Sequence, residues 1–186
     1  MRSYSIANED YIASRCCLLN GLLSQGYILA EQAIEKKMKS IIWILTPSMR
    51  FNDKKFRLHK LSHLIHYIHE NSKIDLRHIE QLCETLSDIY EFARYPDSKI
   101  SSKRSSWHFS VSIIHEVDEA FFNLIEVSPM PNEVKFVTGL YATALDTRRP
   151  HNRAQFWALN DNNAFKKRSQ DLRYKHELVM NHLYPK

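Results

Sequence analysis

Between Tyr27 and Leu45 the apolar residues Ala30, Ala33, Ile34, Met38, Ile41, Ile42 and Leu45 recur at steps of three and four. That spacing lays them along one face of an α-helix and suits no β-strand, whose faces repeat every second residue. The spacing returns along the chain. Residues 9–24 offer Tyr11, Ala13, Cys16, Leu19, Leu22 and Leu23, and residues 56–70 offer Leu58, Leu61, Leu64, Ile65 and Ile68. Residues 75–93 offer Ile79, Leu82, Cys83, Leu86, Ile89, Tyr90 and Ala93. A fifth segment, capped by Ser105 or Ser106 and ending at Ile125, offers Val111, Ile114, Val117, Phe121 and Leu124. A sheet protein would need many tight turns, and the chain has only 3 glycines in 186 residues. The predicted fold class is all-α.

The breaks between these segments are marked by chemistry. Gly26 suits the stop of the first helix. Thr46-Pro47-Ser48 ends the second, because Pro47 pushes the residue before it out of the α region. Asp75 is a plausible N-cap for the fourth, which ends at Arg94-Tyr95-Pro96-Asp97. Beyond Ser128-Pro129-Met130-Pro131-Asn132 the pattern loosens. A helix is expected over 132–145, a basic turn over 146–153, a short helix over 154–159, a turn over 160–163 and a last helix over 164–183. The length supports one core-forming domain with a small appendage, here a bundle over 4–126 and a helical extension over 127–186.

No apolar run is long enough to cross a bilayer, the longest being Ile41 to Leu45. The first residues carry acids where a secretory signal needs a basic and then an apolar stretch, so a cytoplasmic location is expected. Cys16, Cys17 and Cys83 are an odd number without ligand spacing. They read as small buried hydrophobes in a reducing compartment, and neither a structural metal nor a cofactor is expected.

The net charge of +5 is unevenly placed. Residues 1–146 hold 17 Lys and Arg against 18 Asp and Glu, whereas residues 147–186 hold 9 against 3. In that tail Arg148, Arg149, Arg153, Lys166, Lys167 and Arg168 interleave with Phe156, Trp157 and Phe165. Cations for phosphates with rings for stacking suit a nucleic-acid contact; the structural alternative is a solvated helix face.

Three pieces of pattern resemble the HEPN family. Leu18 to Leu45 is similar to its first two helices, with Gln32-Ala33-Ile34-Glu35-Lys36 and Lys39 at the matching places. His59, Leu61 and Leu64 resemble the opening of its third helix, and Tyr90-Glu91-Phe92-Ala93-Arg94-Tyr95-Pro96-Asp97 the end of its fourth. The resemblance covers residues 4–126 and leaves the tail uncovered. It implies an up-and-down bundle, commonly homodimeric, with a cleft for nucleotide or RNA. It also implies one of two settings: a partner module of a nucleotidyltransferase, or a metal-independent ribonuclease of toxin type with an antitoxin partner. A purely structural interaction protein is the third reading. No membrane partner is expected.

For the first setting, Arg94, Tyr95 and Asp97 would form the rim of the nucleotide cleft, opposite His59 and Arg57. Arg94 suits a phosphate and Tyr95 a base, though the same four-residue corner also serves to end a helix. For the second, the nuclease branch uses an Arg, four to six residues, then a His, pairing a phosphate-binding cation with a proton carrier. Arg57 and His63 have that spacing but stand on the third helix. Arg104 and His108 stand at the expected place, after the fourth helix, but one residue too close. His59, His63 and His66 share a helix face, yet no acid is placed among them to complete a metal site.

Overall fold

The structure, a computed structural model, describes residues 2–47, 60–94, 109–131, 135, 153–168, 170 and 174. The described residues form helices and no strand: α1 (Arg2–Leu19), α2 (Leu23–Leu45), α3 (Leu61–Asn71), a 3-10 turn (Arg77–Ile79), α4 (Glu80–Arg94), α5 (Ile113–Val127), α6 (Arg153–Leu159) and α7 (163–168). α2 is the central helix. It packs on α1 most extensively and also on α3, α4 and α5, while α6 lies on α1. No described helix is long and apolar enough to cross a membrane.

The periodic residues go where their spacing sends them. Ala30, Ala33, Ile34, Met38, Ile41 and Ile42 from α2 are buried with Leu61, Leu64, Ile65 and Ile68 from α3 and Leu82, Cys83, Leu86 and Ile89 from α4. Ile114, Val117, Phe121, Phe122 and Leu124 of α5 complete the same core. Burial of a side chain of this size contributes roughly 1.5–3 kcal/mol, so this stripe-on-stripe packing is what makes the helices stable.

α1 differs from expectation in extent and in face. It starts at Arg2 and stops at Leu19, and the residue that ends it is Gly21, at φ +77°. Gly26 lies inside α2, where a Cβ would stand 2.6 Å from Leu18 Cδ2 and its carbonyl accepts a bond from Ser14 Oγ at 2.8 Å. Its smallness lets α1 and α2 touch. The buried stripe of α1 is Tyr4, Ala7, Asn8, Tyr11, Arg15 and Leu18, whereas Leu22 is exposed and Cys16 and Cys17 are half-buried. An apolar count along the sequence picks the wrong face because the buried one is half polar.

That polar stripe is answered from far along the chain. Arg15 is completely buried and pairs with Asp118 of α5, also fully buried. Its other donors go to the carbonyls of Trp157, at 2.8 Å, and Asn160. Tyr11 donates to Asp118 Oδ1 at 2.7 Å and stacks flat on Phe121 with centroids 4.1 Å apart. Asn162 donates to Tyr11 Oη at 2.9 Å and accepts from the Phe165 amide at 2.8 Å, capping α7. The C-terminal extension is thus stitched into the bundle by buried hydrogen bonds.

Smaller differences have local causes. Lys60 is extended, so α3 begins at Leu61. Asp75 caps through an Asx turn, accepting from the Arg77 amide at 3.0 Å, and a 3-10 turn intervenes before α4. α5 begins at Ile113, and Val111, expected inward, is exposed in the turn before it. The capping of the fifth helix by Ser105 or Ser106 and the helix over 132–145 fall largely outside the described residues.

Candidate functional site

Of the residues expected at the cleft rim, Arg94 lies among the described ones, at the C-terminal end of α4. Arg94 is the last residue of that helix, where a cation meets the free carbonyls favourably. It is exposed; its guanidinium donates to Tyr90 Oη and lies 5.6 Å from the Tyr90 ring centroid. The phenol thus holds a planar cation at the rim of the bundle. Facing α4 from α2 is Glu31, 1% exposed, and neither of its carboxylate oxygens has a hydrogen-bond partner among the described residues. One turn on, Glu35 accepts from Lys39 at 2.6 Å, and Lys36 pairs with Asp10 of α1.

Burial raises the Glu31 carboxyl, and the Glu35 charge adds to it. Lys39, Lys36 and Arg94 oppose both, leaving the group at about 8. At neutral pH Glu31 is therefore a carboxylic acid. Behind it the buried Cys83 thiol is pushed up by its own burial and by Glu31, Glu80 and Glu84.

α2 buries a second charged-type side chain. The Lys37 amine lies 3.1 Å from the Tyr4 ring centroid and 5.1 Å from that of Phe121. It donates to the Tyr4 carbonyl at 3.5 Å, and burial drives it well below the usual lysine range. Glu31 and Lys37 escape a search for motifs. Their signal is positional, since Glu31 stands four after Tyr27 and three before Ile34, and Lys37 three after Ile34 and four before Ile41. Both occupy inward positions of an otherwise apolar stripe.

Of the residues singled out in sequence, Arg57, His59, Tyr95, Asp97, Arg104, His108, Arg148 and Arg149 lie outside the described residues. His63 is exposed on α3, and His66 beside it stands 3.5 Å from Glu80. No group of three His, Cys, Asp or Glu side chains placed to hold a metal occurs among the described residues. In the extension, Arg153 begins α6. Lys167 and Arg168 both bind Glu119 of α5, at 2.9 and 2.8 Å, and Arg168 also binds Glu126 at 2.8 Å. Partial burial raises the Glu119 carboxyl, but these two cations outweigh it and hold the group below its ordinary value. Lys166 and Lys167 line a shallow cleft with His115, Glu119 and Asn163. Part of the tail's charge is therefore spent on α5.

Comparison with known proteins adds one finding. The family model described as HEPN domain matches residues 1–123, from α1 through most of α5. No curated protein and no solved structure matches the chain.

Proposed function

This chain belongs to the HEPN domain family, whose functions concern nucleotides and RNA, and on that premise we propose that it binds a nucleotide or RNA at the C-terminal end of α4. In this reading it serves as a homodimeric partner module of a nucleotidyltransferase, and binding rather than strand cleavage is its task. The observation that carries the reading is Arg94, an exposed guanidinium fixed on Tyr90 within the matched region. A planar fork of donors held in place suits a phosphate. Tyr95 and Asp97 next to it, with Arg57 and His59, are the proposed companions. For the homodimer, Trp43 at 46% exposure on α2 is one of the large apolar side chains that support it; Phe121 and Phe122 are used up in the core.

The test is equilibrium binding of AMP and of fluorescent single-stranded RNA to the full chain and to Arg94→Ala. A charge-assisted hydrogen bond contributes about 1.5–3 kcal/mol, so the variant should bind at least about tenfold more weakly. It should stay folded with a modest loss of stability, since a cation at a helix C-terminus contributes about 0.3–1 kcal/mol. Equal affinity in parent and variant would remove Arg94 from the site.

A further inference from the structure

α5 and α7 meet along a seam that opens into a cleft of about 370 Å³, lined by His115 and Glu119 of α5 and by Asn163, Lys166 and Lys167 of α7. Ligand clefts span about 300–1,000 Å³, so there is room for a phosphate and the sugar it carries. The α7 wall is fixed in place. Asn162 accepts from the Phe165 amide at 2.8 Å and donates to Tyr11 Oη at 2.9 Å, while Ala164, 2% exposed, lines the floor. Glu119 is the one acid among these lining residues, and both its oxygens are engaged: Oε1 by Lys167 at 2.9 Å and Oε2 by Arg168 at 2.8 Å. Arg168 also binds Glu126, so its charge is balanced outside the cleft. An ammonium carries three N–H donors and no acceptor, and Glu119 takes one of those on Lys167. Lys166, the His115 ring and the Asn163 amide add donors to the same space. Donors and positive charge therefore predominate in the cleft.

We propose that this cleft seats a phosphate of an RNA chain, with Lys167 and Lys166 as the cations and the His115 imidazole and Asn163 amide as further donors. A tetrahedral phosphate turns oxygens towards both walls at once, and its bonds to ammonium groups are charge-assisted. A carboxylate of an acidic peptide has only two oxygens, in one plane, and fits donors on two walls less well. One wall lies within the residues that match the family model and the other in the extension beyond residue 123. The seat is thus made by the two together. It shares no residue with the proposed Arg94 site, so it goes beyond the nucleotide reading and stands apart from it. An RNA long enough to fill both would be held at two points, and so more tightly than by either alone.

The experiment is a fluorescence-anisotropy titration of the full chain with short oligoadenylates bearing a 5′-hydroxyl or a 5′-phosphate, and with an oligoglutamate peptide of equal charge. Lys167→Gln and His115→Ala should each weaken RNA binding about threefold or more. Both positions are exposed, so each variant should keep its helical circular dichroism. Lys73→Gln makes the same change of charge at an exposed position after α3, and should weaken binding less than Lys167→Gln. The losses should persist in an Arg94→Ala background. A 5′-phosphate that strengthens binding only while His115 is present assigns the seat to the end of the RNA; equal binding of the two oligoadenylates, with the same losses, assigns it to the phosphodiester backbone. Equal losses in Lys73→Gln and Lys167→Gln, with His115→Ala silent, would reduce the cleft to diffuse charge attraction and overturn the proposal. Peptide binding as tight as RNA binding, with the same losses, overturns it too. Weakening by Arg94→Ala alone overturns the seat and leaves the nucleotide site standing, and weakening by the cleft variants alone does the reverse. A parent that binds no RNA removes both.

Discussion

Arg15 and Asp118, 103 positions apart in the chain, form an ion pair with neither side chain more than 1% exposed. The pair joins α1 to α5, and the remaining Arg15 donors reach the carbonyls of Trp157 and Asn160 in the extension. One side chain therefore links α1, α5 and the end of α6. Removing one partner of a buried pair leaves the other charge unanswered and costs about 3–5 kcal/mol, whereas replacing both by apolar groups is often close to neutral. Asp118→Ala should lower the urea midpoint sharply, and Arg15→Met with Asp118→Leu should recover much of the loss. A double variant no better than Asp118→Ala would show that the Arg15 bonds to the extension, and not the ion pair, hold the stability.

The two glycines of the first hairpin should respond differently. Gly26→Ala puts a methyl 2.6 Å from Leu18 across the α1–α2 contact, an overpacking expected to cost about 1–3 kcal/mol. Gly21→Ala meets no atom within 4 Å but is held at φ +77°, a conformation that costs an L-residue about 1–2 kcal/mol. Shortening Leu18 to Ala should relieve Gly26→Ala and leave Gly21→Ala unrelieved. Thermal melts of the four variants check this, and relief of both substitutions would place the strain outside the crossing.

Glu31 also makes stability depend on pH. Its carboxyl sits at about 8 in the folded chain against an ordinary value of 4.5. Between those values the folded state holds a proton that the unfolded state has released, so stability falls as pH rises and levels off above about 8. Glu31→Gln cannot ionise and should match the parent near pH 5. It should exceed the parent increasingly towards pH 8, by several degrees in Tm, given that about 1 kcal/mol moves Tm by roughly 2–8 °C for domains of 60–250 residues. A parent–variant difference that stays constant over that window would show that Glu31 is ionised throughout.

In the extension, Lys166 and Lys167 should be separable from Arg168. Arg168 bridges Glu119 and Glu126 and lies 5.8 Å from the Phe122 ring centroid, so Arg168→Gln should lower Tm. Lys166→Gln and Lys167→Gln change exposed ammonium groups and should leave Tm nearly unchanged. If they meet RNA phosphates, each should reduce the slope of log affinity against log salt by about 0.7. Truncation at residue 160 is a poor test of the same idea, because it removes the Asn162 bonds to Tyr11 and Ala158. An unchanged slope in the doubly substituted protein would assign these lysines to solubility.

Purified protein should cleave generic RNA slowly or not at all, with or without EDTA. His63 is exposed on α3, the wrong helix for the family's catalytic pattern, and His63→Ala should leave any residual cleavage unaltered. A proton-transfer group contributes about a hundredfold or more in rate. Robust EDTA-resistant cleavage that His108→Ala abolishes would make the chain a nuclease after all.

Local spacing was enough to identify the helices because burial of one face is a property of a helix and not of its neighbours. Ala30, Ile34, Met38 and Ile41 announce an inward stripe wherever α2 is placed, and the same holds for Leu82, Cys83 and Leu86. Thr46-Pro47 likewise ends α2 by backbone sterics alone. The family, too, was legible in motifs that lie within single helices. What only the tertiary structure decided is the treatment of polar residues. Arg15 is buried because Asp118, Trp157 and Asn160 answer it, and no segment near Arg15 in the chain carries that information. Gly26 is a packing residue because Leu18 returns against it. Glu31 occupies an inward position of a helix whose sequence is compatible with either a solvated or a buried acid. Its burial is set by the packing around α2, and the raised carboxyl follows from that burial and from Glu35 one turn on. Apolar burial can be read one residue at a time; the burial of charge depends on which partners the fold brings.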